Sequence, residues 1–221
     1  MGDKISSGSS VLDCLLEGGL EPEIITTIYG PSSVGKTCFC LQAALETAKE
    51  KKVVYIDTEG GFSSDRIMQL NKNNEILDRI ILLSPKTFEE QNVAMNQIAN
   101  MMNDKIGLVI IDSIAMLYRL QMHKAEDIQI VNRQLGIQLA LLTEITRKYK
   151  IPILITNQVY ARFDDRENIH MVGGDLLKYS SKCLVELQRN GKRKAILHKH
   201  RSIQEGRELF FDIKNEGTVI L

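Results

Sequence analysis

Gly30-Pro31-Ser32-Ser33-Val34-Gly35-Lys36-Thr37 combines two glycines, a lysine and a hydroxyl at the spacing G-x-x-x-x-G-K-[ST]. Glycines let a backbone close around an anion, and amides leading into a helix N-terminus turn fixed positive dipoles toward it. A loop of this kind holds a nucleoside triphosphate such as ATP: Lys36 reaches the β- and γ-phosphates, and the Thr37 hydroxyl ligates Mg²⁺. A second metal-side oxygen is expected where a buried strand ends. Leu108-Val109-Ile110-Ile111-Asp112 supplies one, with Asp112 leaving the apolar run, although an aspartate there also suits the cap of a following helix. Phosphoryl transfer to water further needs a group that orients or deprotonates the nucleophile. Asp57 and Glu59, at the end of the run Val53–Asp57, both qualify on position alone.

These residues need a frame. Apolar runs at Ile24–Tyr29, Val53–Asp57, Ile80–Leu83, Leu108–Asp112 and Ile151–Thr156 alternate with helical patterns, which describes an α/β fold with a mostly parallel sheet covered on both faces. Thr87 and Glu90 form a capping box ahead of Ala94, Ile98, Met101 and Met102 at helical spacing. Leu135, Leu139, Leu142 and Ile145 mark a second long helix that ends before Pro152. Among the early serines, Ser6, Ser7, Ser9 and Ser10 read as a turn and helix cap. Beyond Leu184 the pattern shortens to Leu184–Gln188, Lys194–Lys199, Glu208–Ile213 and Thr218–Leu221. Turns at Asn190-Gly191, Glu205-Gly206 and Glu216-Gly217 join them, so an antiparallel extension of the sheet is expected.

Composition narrows the partners. In 221 residues, 28 Lys and Arg balance 28 Asp and Glu, which excludes a polycation coating nucleic acid but leaves room for a local basic patch. Arg189-Asn190-Gly191-Lys192-Arg193-Lys194 spans a hairpin turn, where strand alternation sends Lys192 and Lys194 to one side. Tyr160-Ala161-Arg162-Phe163-Asp164-Asp165-Arg166 interleaves aromatics, which stack bases, with Arg162 and Arg166, which contact phosphates. DNA-binding candidates are therefore Arg162, Phe163, Arg166, Lys192, Arg193 and Lys194. No apolar run reaches the ~20 residues that span a bilayer, and no signal-peptide pattern opens the chain. Cys14, Cys38, Cys40 and Cys183 form no metal-ligand spacing and read as reduced thiols, so a cytoplasmic location without membrane contact is expected.

Several segments, in order, resemble the RecA/RadA recombinase family. They are Lys4-Ile5-Ser6-Ser7-Gly8 with Leu12-Asp13 and Gly18-Gly19-Leu20, and Tyr55-Ile56-Asp57-Thr58-Glu59-Gly60 with Phe62 and Arg66. Ile155-Thr156-Asn157-Gln158-Val159 and Gly173-Gly174 complete the series. The resemblance spans essentially the whole chain and implies a RecA-like P-loop ATPase core. It selects Glu59 over Asp57 as the water-activating carboxylate. It makes Gln158 a γ-phosphate sensor that opens the first DNA-binding loop, and lays Arg66 against the adenine. It also brings the string His198-Lys199-His200-Arg201 toward the nucleotide of a neighbouring subunit, with Lys199 or Arg201 as a finger in trans.

Departures from the family accompany the matches. The chain starts at the core, so a single domain over residues 1–221 is expected, without the helical N-terminal DNA-binding domain or the linker peptide that joins recombinase subunits. Both DNA loops must fit within Val159–Val172. The resemblance thus implies a short ATP-binding recombinase paralog in DNA repair and homologous recombination. It would bind single-stranded or branched DNA and hydrolyse ATP very weakly, without strand exchange. Self-assembly would be weak, and its partners would be the main RadA-type recombinase or a Holliday-junction nuclease. A helicase-like or KaiC-like ATP-driven motor or switch of the same superfamily is the alternative, and an interaction module with a structural ATP site is a third.

Overall fold

The computed structural model describes residues 3–71, 74–162 and 165–221. One continuous sheet runs in the order β10-β9-β8-β7-β1-β5-β4-β2-β3. Its parallel part comprises β1 (Ile25–Gly30), β2 (Lys52–Asp57), β3 (Ile80–Leu83), β4 (Ile106–Asp112), β5 (Ile153–Arg162) and β7 (Cys183–Asn190). Side chains alternate between two cores, as the period of a strand requires. In β4, Leu108 and Ile110 join a core beneath helices α1 (Ser10–Leu15), α2 (Lys36–Thr47) and α3 (Ser64–Leu70). Val109 and Ile111 join the opposite core, under α4 (Phe88–Met101), α5 (Met116–Met122), α6 (Ile128–Tyr149) and α7 (Gly174–Ser180). Burial on both faces explains why β1, β2 and β4 read as near-continuous apolar runs, whereas β3, at the sheet edge, is only partly buried.

The C-terminal strands refine the expectation. β7 runs parallel to β1, and the antiparallel part begins only with β8 (Lys192–His200), continuing through β9 (Glu208–Lys214) and β10 (Gly217–Ile220). A second difference follows Gln158. The interval expected to hold two loops contains an antiparallel ribbon, in which β5 continues to Arg162 and pairs with β6 (Asp165–Met171) in the register Val159↔Met171, Tyr160↔His170. Arg162 ends β5 and Arg166 belongs to β6, whereas Phe163 lies outside the described residues.

Local signals act where the sequence places them. Thr87 Oγ1 accepts from the Glu90 amide, while Glu90 Oε2 accepts from the Lys86 amide, one residue earlier than a regular capping box. Ser9 caps α1 by accepting from the Leu12 amide and pairs with Thr218 Oγ1 at 2.6 Å, tying the first helix to the last strand. Among the described residues no helix is long and apolar enough to cross a membrane.

Candidate functional site

Strand β1 ends at Gly30, which pairs with Gln158 of β5, and the G-x-x-x-x-G-K-[ST] loop then leads into α2 at Lys36. Two glycines in that loop hold backbone angles that side chains rarely adopt, and a Cβ on either would meet a neighbour. Gly30 has φ +156°, and a Cβ on it would lie 2.3 Å from the Leu187 carbonyl of β7. Gly35 has φ +119°, and its Cβ would lie 2.6 Å from Ile213 Cδ1 of β9. The extension therefore backs the phosphate loop directly, and the edge contact of Phe211 with Phe39 of α2, at 5.3 Å, anchors it there. This role for the last strands carries no local sequence signal.

Lys36 is buried and donates to the carbonyls of Gly30 (3.0 Å) and Pro31 (2.7 Å). Burial lowers its ammonium below the ordinary lysine value, with the nearby charges of Glu59 and Asp112 opposing that shift. Asp112 lies at the end of β4, paired with Asp57 of β2. Its Oδ1 accepts from Thr156 Oγ1 at 2.5 Å and its Oδ2 from Tyr55 Oη at 3.0 Å, and Thr37 also hydrogen-bonds it. Burial pushes its carboxyl up, against the pull of these three donors, and the charge of Glu59 adds to the rise.

Thr37 and Asp112 offer hard oxygens, the donor set that Mg²⁺ takes. Both lie beside the turn after β2: a Cβ on Gly61 would sit 3.2 Å from Thr37 Cγ2, 3.4 Å from Thr37 Oγ1 and 3.8 Å from Asp112 Oδ2, so the bare glycine leaves space next to both oxygens. The residues present thus fit a small divalent cation, and Gly61 is a site residue that sequence reading did not single out. Among the described residues no group of three His, Cys, Asp or Glu forms a separate metal site.

At the end of β2 the two candidate carboxylates differ in what they touch. Asp57 is buried and accepts four backbone N–H groups: Glu59, Gly60 and Gly61 at Oδ1, and Phe62 at Oδ2, over 2.8–3.2 Å. It shapes the turn. Glu59 is exposed, and its Oε1 accepts from Ser113 Oγ (2.7 Å) and Gln158 Nε2 (2.9 Å). Both donors use Oε1, and among the described residues Oε2 has no hydrogen-bond partner. The structure thus brings Lys36, Thr37, Asp112, Glu59 and Gln158 to one edge of the sheet, at the carboxyl ends of the parallel strands where ligands of such folds bind.

Other candidates are placed differently. Arg66, on α3, donates to the carbonyls of Lys214 (2.7 Å) and Asn215 (3.2 Å) and meets Cys38 Sγ at 3.4 Å, so it sits between the start of α2 and the β9–β10 turn. Lys199 and Arg201 lie at the far edge of the sheet, since His200 pairs with Cys183, which in turn pairs with Thr26 at the start of β1. Lys199 donates to the Lys178 and Ser181 carbonyls at the end of α7. Arg201 holds the buried Glu21 through Nε (2.7 Å) and Nη2 (2.5 Å). In the basic hairpin, Arg193 pairs with Asp212 and Lys194 with Glu208, so carboxylates from β9 offset part of the patch.

Comparison with known proteins agrees with this geometry. The Rad51 family model matches residues 3–219. The DNA repair and recombination protein RadB of Methanobrevibacter smithii is 39% identical over 98% of this chain and 95% of that protein. Its Methanococcus maripaludis counterpart is 44% identical over 96% of this chain and 98% of that protein. A crystal structure of the RadB recombinase superposes with a TM-score of 0.80 at 35% identity, covering 97% of this chain and 98% of the other. The chain belongs to the Rad51/RecA family, among its RadB-type DNA repair and recombination proteins.

Proposed function

We propose that this chain acts as a single-core ATP-binding recombinase paralog in DNA repair and homologous recombination, using Mg·ATP as a conformational switch with very slow hydrolysis. The observation that carries this reading is the contact of Gln158 Nε2 with Glu59 Oε1 beside the phosphate loop. Lys36 and the loop amides would bind the phosphates, and the Arg66 guanidinium would lie against the adenine. Thr37 and Asp112 would hold Mg²⁺, which when bound draws charge from the phosphate oxygens. Glu59 Oε2 would orient the attacking water. A γ-phosphate accepts hydrogen bonds as Glu59 does, so Gln158 would exchange one for the other on ATP binding. Gln158 stands where β5 continues into the β5–β6 ribbon, so that exchange would reach the Arg162–Arg166 segment and its DNA contacts.

Slow hydrolysis follows from the shortage of cations. A finger in trans contributes ~10³–10⁵ in rate in related phosphoryl transfers. Lys199 and Arg201, the candidates for that role, are occupied within their own chain. The Lys192–Lys194 hairpin would add contacts to DNA phosphates. The partners proposed for the switch are the main recombinase and a junction-cutting nuclease, and ATP-dependent co-purification with either would show them.

The test combines binding with turnover. A fluorescent ATP analogue should bind the wild type and fail to bind Lys36→Ala. Glu59→Gln should bind normally and lose the residual hydrolysis. Undiminished hydrolysis in Glu59→Gln removes Glu59 from the mechanism, and rapid DNA-stimulated turnover in the wild type removes the switch in favour of a motor.

A further inference from the structure

Tyr55 lies mid-strand in β2, fully buried, paired with Ile110 of β4. A phenol hydroxyl in such a place costs stability unless it is bonded, and phenylalanine would fill the same apolar space without that cost. Among the described residues the hydroxyl has one hydrogen-bond partner, Asp112 Oδ2 at 3.0 Å. The ring packs edge-on against Phe62, centroids 5.1 Å apart, and the Phe62 amide is held by Asp57. One side chain therefore joins the turn that carries Glu59 and Gly61 to the carboxylate that faces Thr37. Thr156 restrains the other oxygen of that carboxylate. A donor on each oxygen holds the Asp112 carboxylate in one orientation beside Gly61 and Thr37.

Resting on the nucleotide reading above, we propose that Tyr55 is a positioning residue for the metal side of the site: its hydroxyl fixes the Asp112 carboxylate toward Thr37 so that Mg²⁺ is taken up with the triphosphate. The hydroxyl acts through Asp112 and touches neither nucleotide nor metal. Groups standing behind metal ligands in this way typically change metal affinity by ~10–100-fold when removed.

The test titrates Mg²⁺ into wild type and Tyr55→Phe, each holding a fluorescent ATP analogue, after measuring analogue binding in EDTA. The expected result is a Mg²⁺ half-saturation raised about tenfold in Tyr55→Phe, with EDTA affinity within twofold of wild type and the native circular-dichroism spectrum retained. An unchanged half-saturation overturns the proposal, as does an equal loss of EDTA and Mg²⁺ affinities, which marks a structural role. Absence of analogue binding by the wild type in both conditions instead refutes the nucleotide reading itself. Wild-type protein labelled with ¹³Cζ-tyrosine needs no substitution: adding Mg²⁺ to the nucleotide complex should move one tyrosine Cζ resonance, and a spectrum in which none moves overturns the proposal.

Discussion

Arg201→Ala separates a structural role from a role in trans. Glu21 is only 4% exposed, and both of its hydrogen bonds reach Oε1 from Arg201. Among the described residues its Oε2 has no hydrogen-bond partner, and it lies 3.4 Å from His200 Nε2. His200 Nδ1 accepts from the Ser202 and Ile203 amides, which assigns the ring proton to Nε2 and leaves the imidazole neutral. Arg201 is thus the cation bonded to Glu21. Breaking a buried ion pair by removing one partner costs ~3–5 kcal/mol. The Arg201 side chain is 36% exposed, and solvent screening brings its loss below that range, to about 2–3 kcal/mol. For a chain of this size that corresponds to a fall of roughly 5–10 °C in melting temperature. Thermal unfolding by circular dichroism measures it. Glu21→Gln removes the stranded charge, so the double variant Glu21→Gln/Arg201→Ala should recover most of the loss. A melting temperature within about 2 °C of wild type for Arg201→Ala, roughly the effect of half a kilocalorie to one, refutes the reasoning and returns Arg201 to the candidates for a finger in trans.

Three further outcomes are expected. Burial holds the His200 imidazole below its ordinary value, with Lys4 and Arg201 adding to the depression and Glu21 and Glu17 opposing it. The unfolded chain then binds the extra proton first, so stability should fall as pH drops below about 6.5, and urea unfolding between pH 7.5 and 5.5 should show a flatter profile in His200→Gln. Gly35→Ala places a methyl 2.6 Å from Ile213 Cδ1 at φ +119°. It should cost about 1–3 kcal/mol in urea unfolding and weaken binding of the ATP analogue, because the loop moves to relieve the clash. Lys192→Ala with Lys194→Ala should weaken DNA binding similarly across sequences and reduce the salt dependence by about one phosphate contact rather than two, since Lys194 is already paired with Glu208. A loss of two contacts in fluorescence anisotropy would show that this pair opens on DNA.

The amino-acid sequence by itself determined the alternation of strands and helices, the phosphate loop and the Asp112 strand end. Each rests on a local rule: apolar runs for strands buried on both faces, a fixed glycine and lysine spacing, and a charge ending an apolar run. The choice between Asp57 and Glu59 could not be made from spacing, because the two stand two residues apart on the same turn. Tertiary structure gives them different surroundings, since four amides converge on Asp57 and the donors from Ser113 and Gln158 reach Glu59 across the sheet. The neighbours of Tyr55, Gly61, Lys199 and Arg201 were hidden for the same reason. Their partners lie far along the chain, as Arg201 does from Glu21, and only the order and register of the strands bring them together.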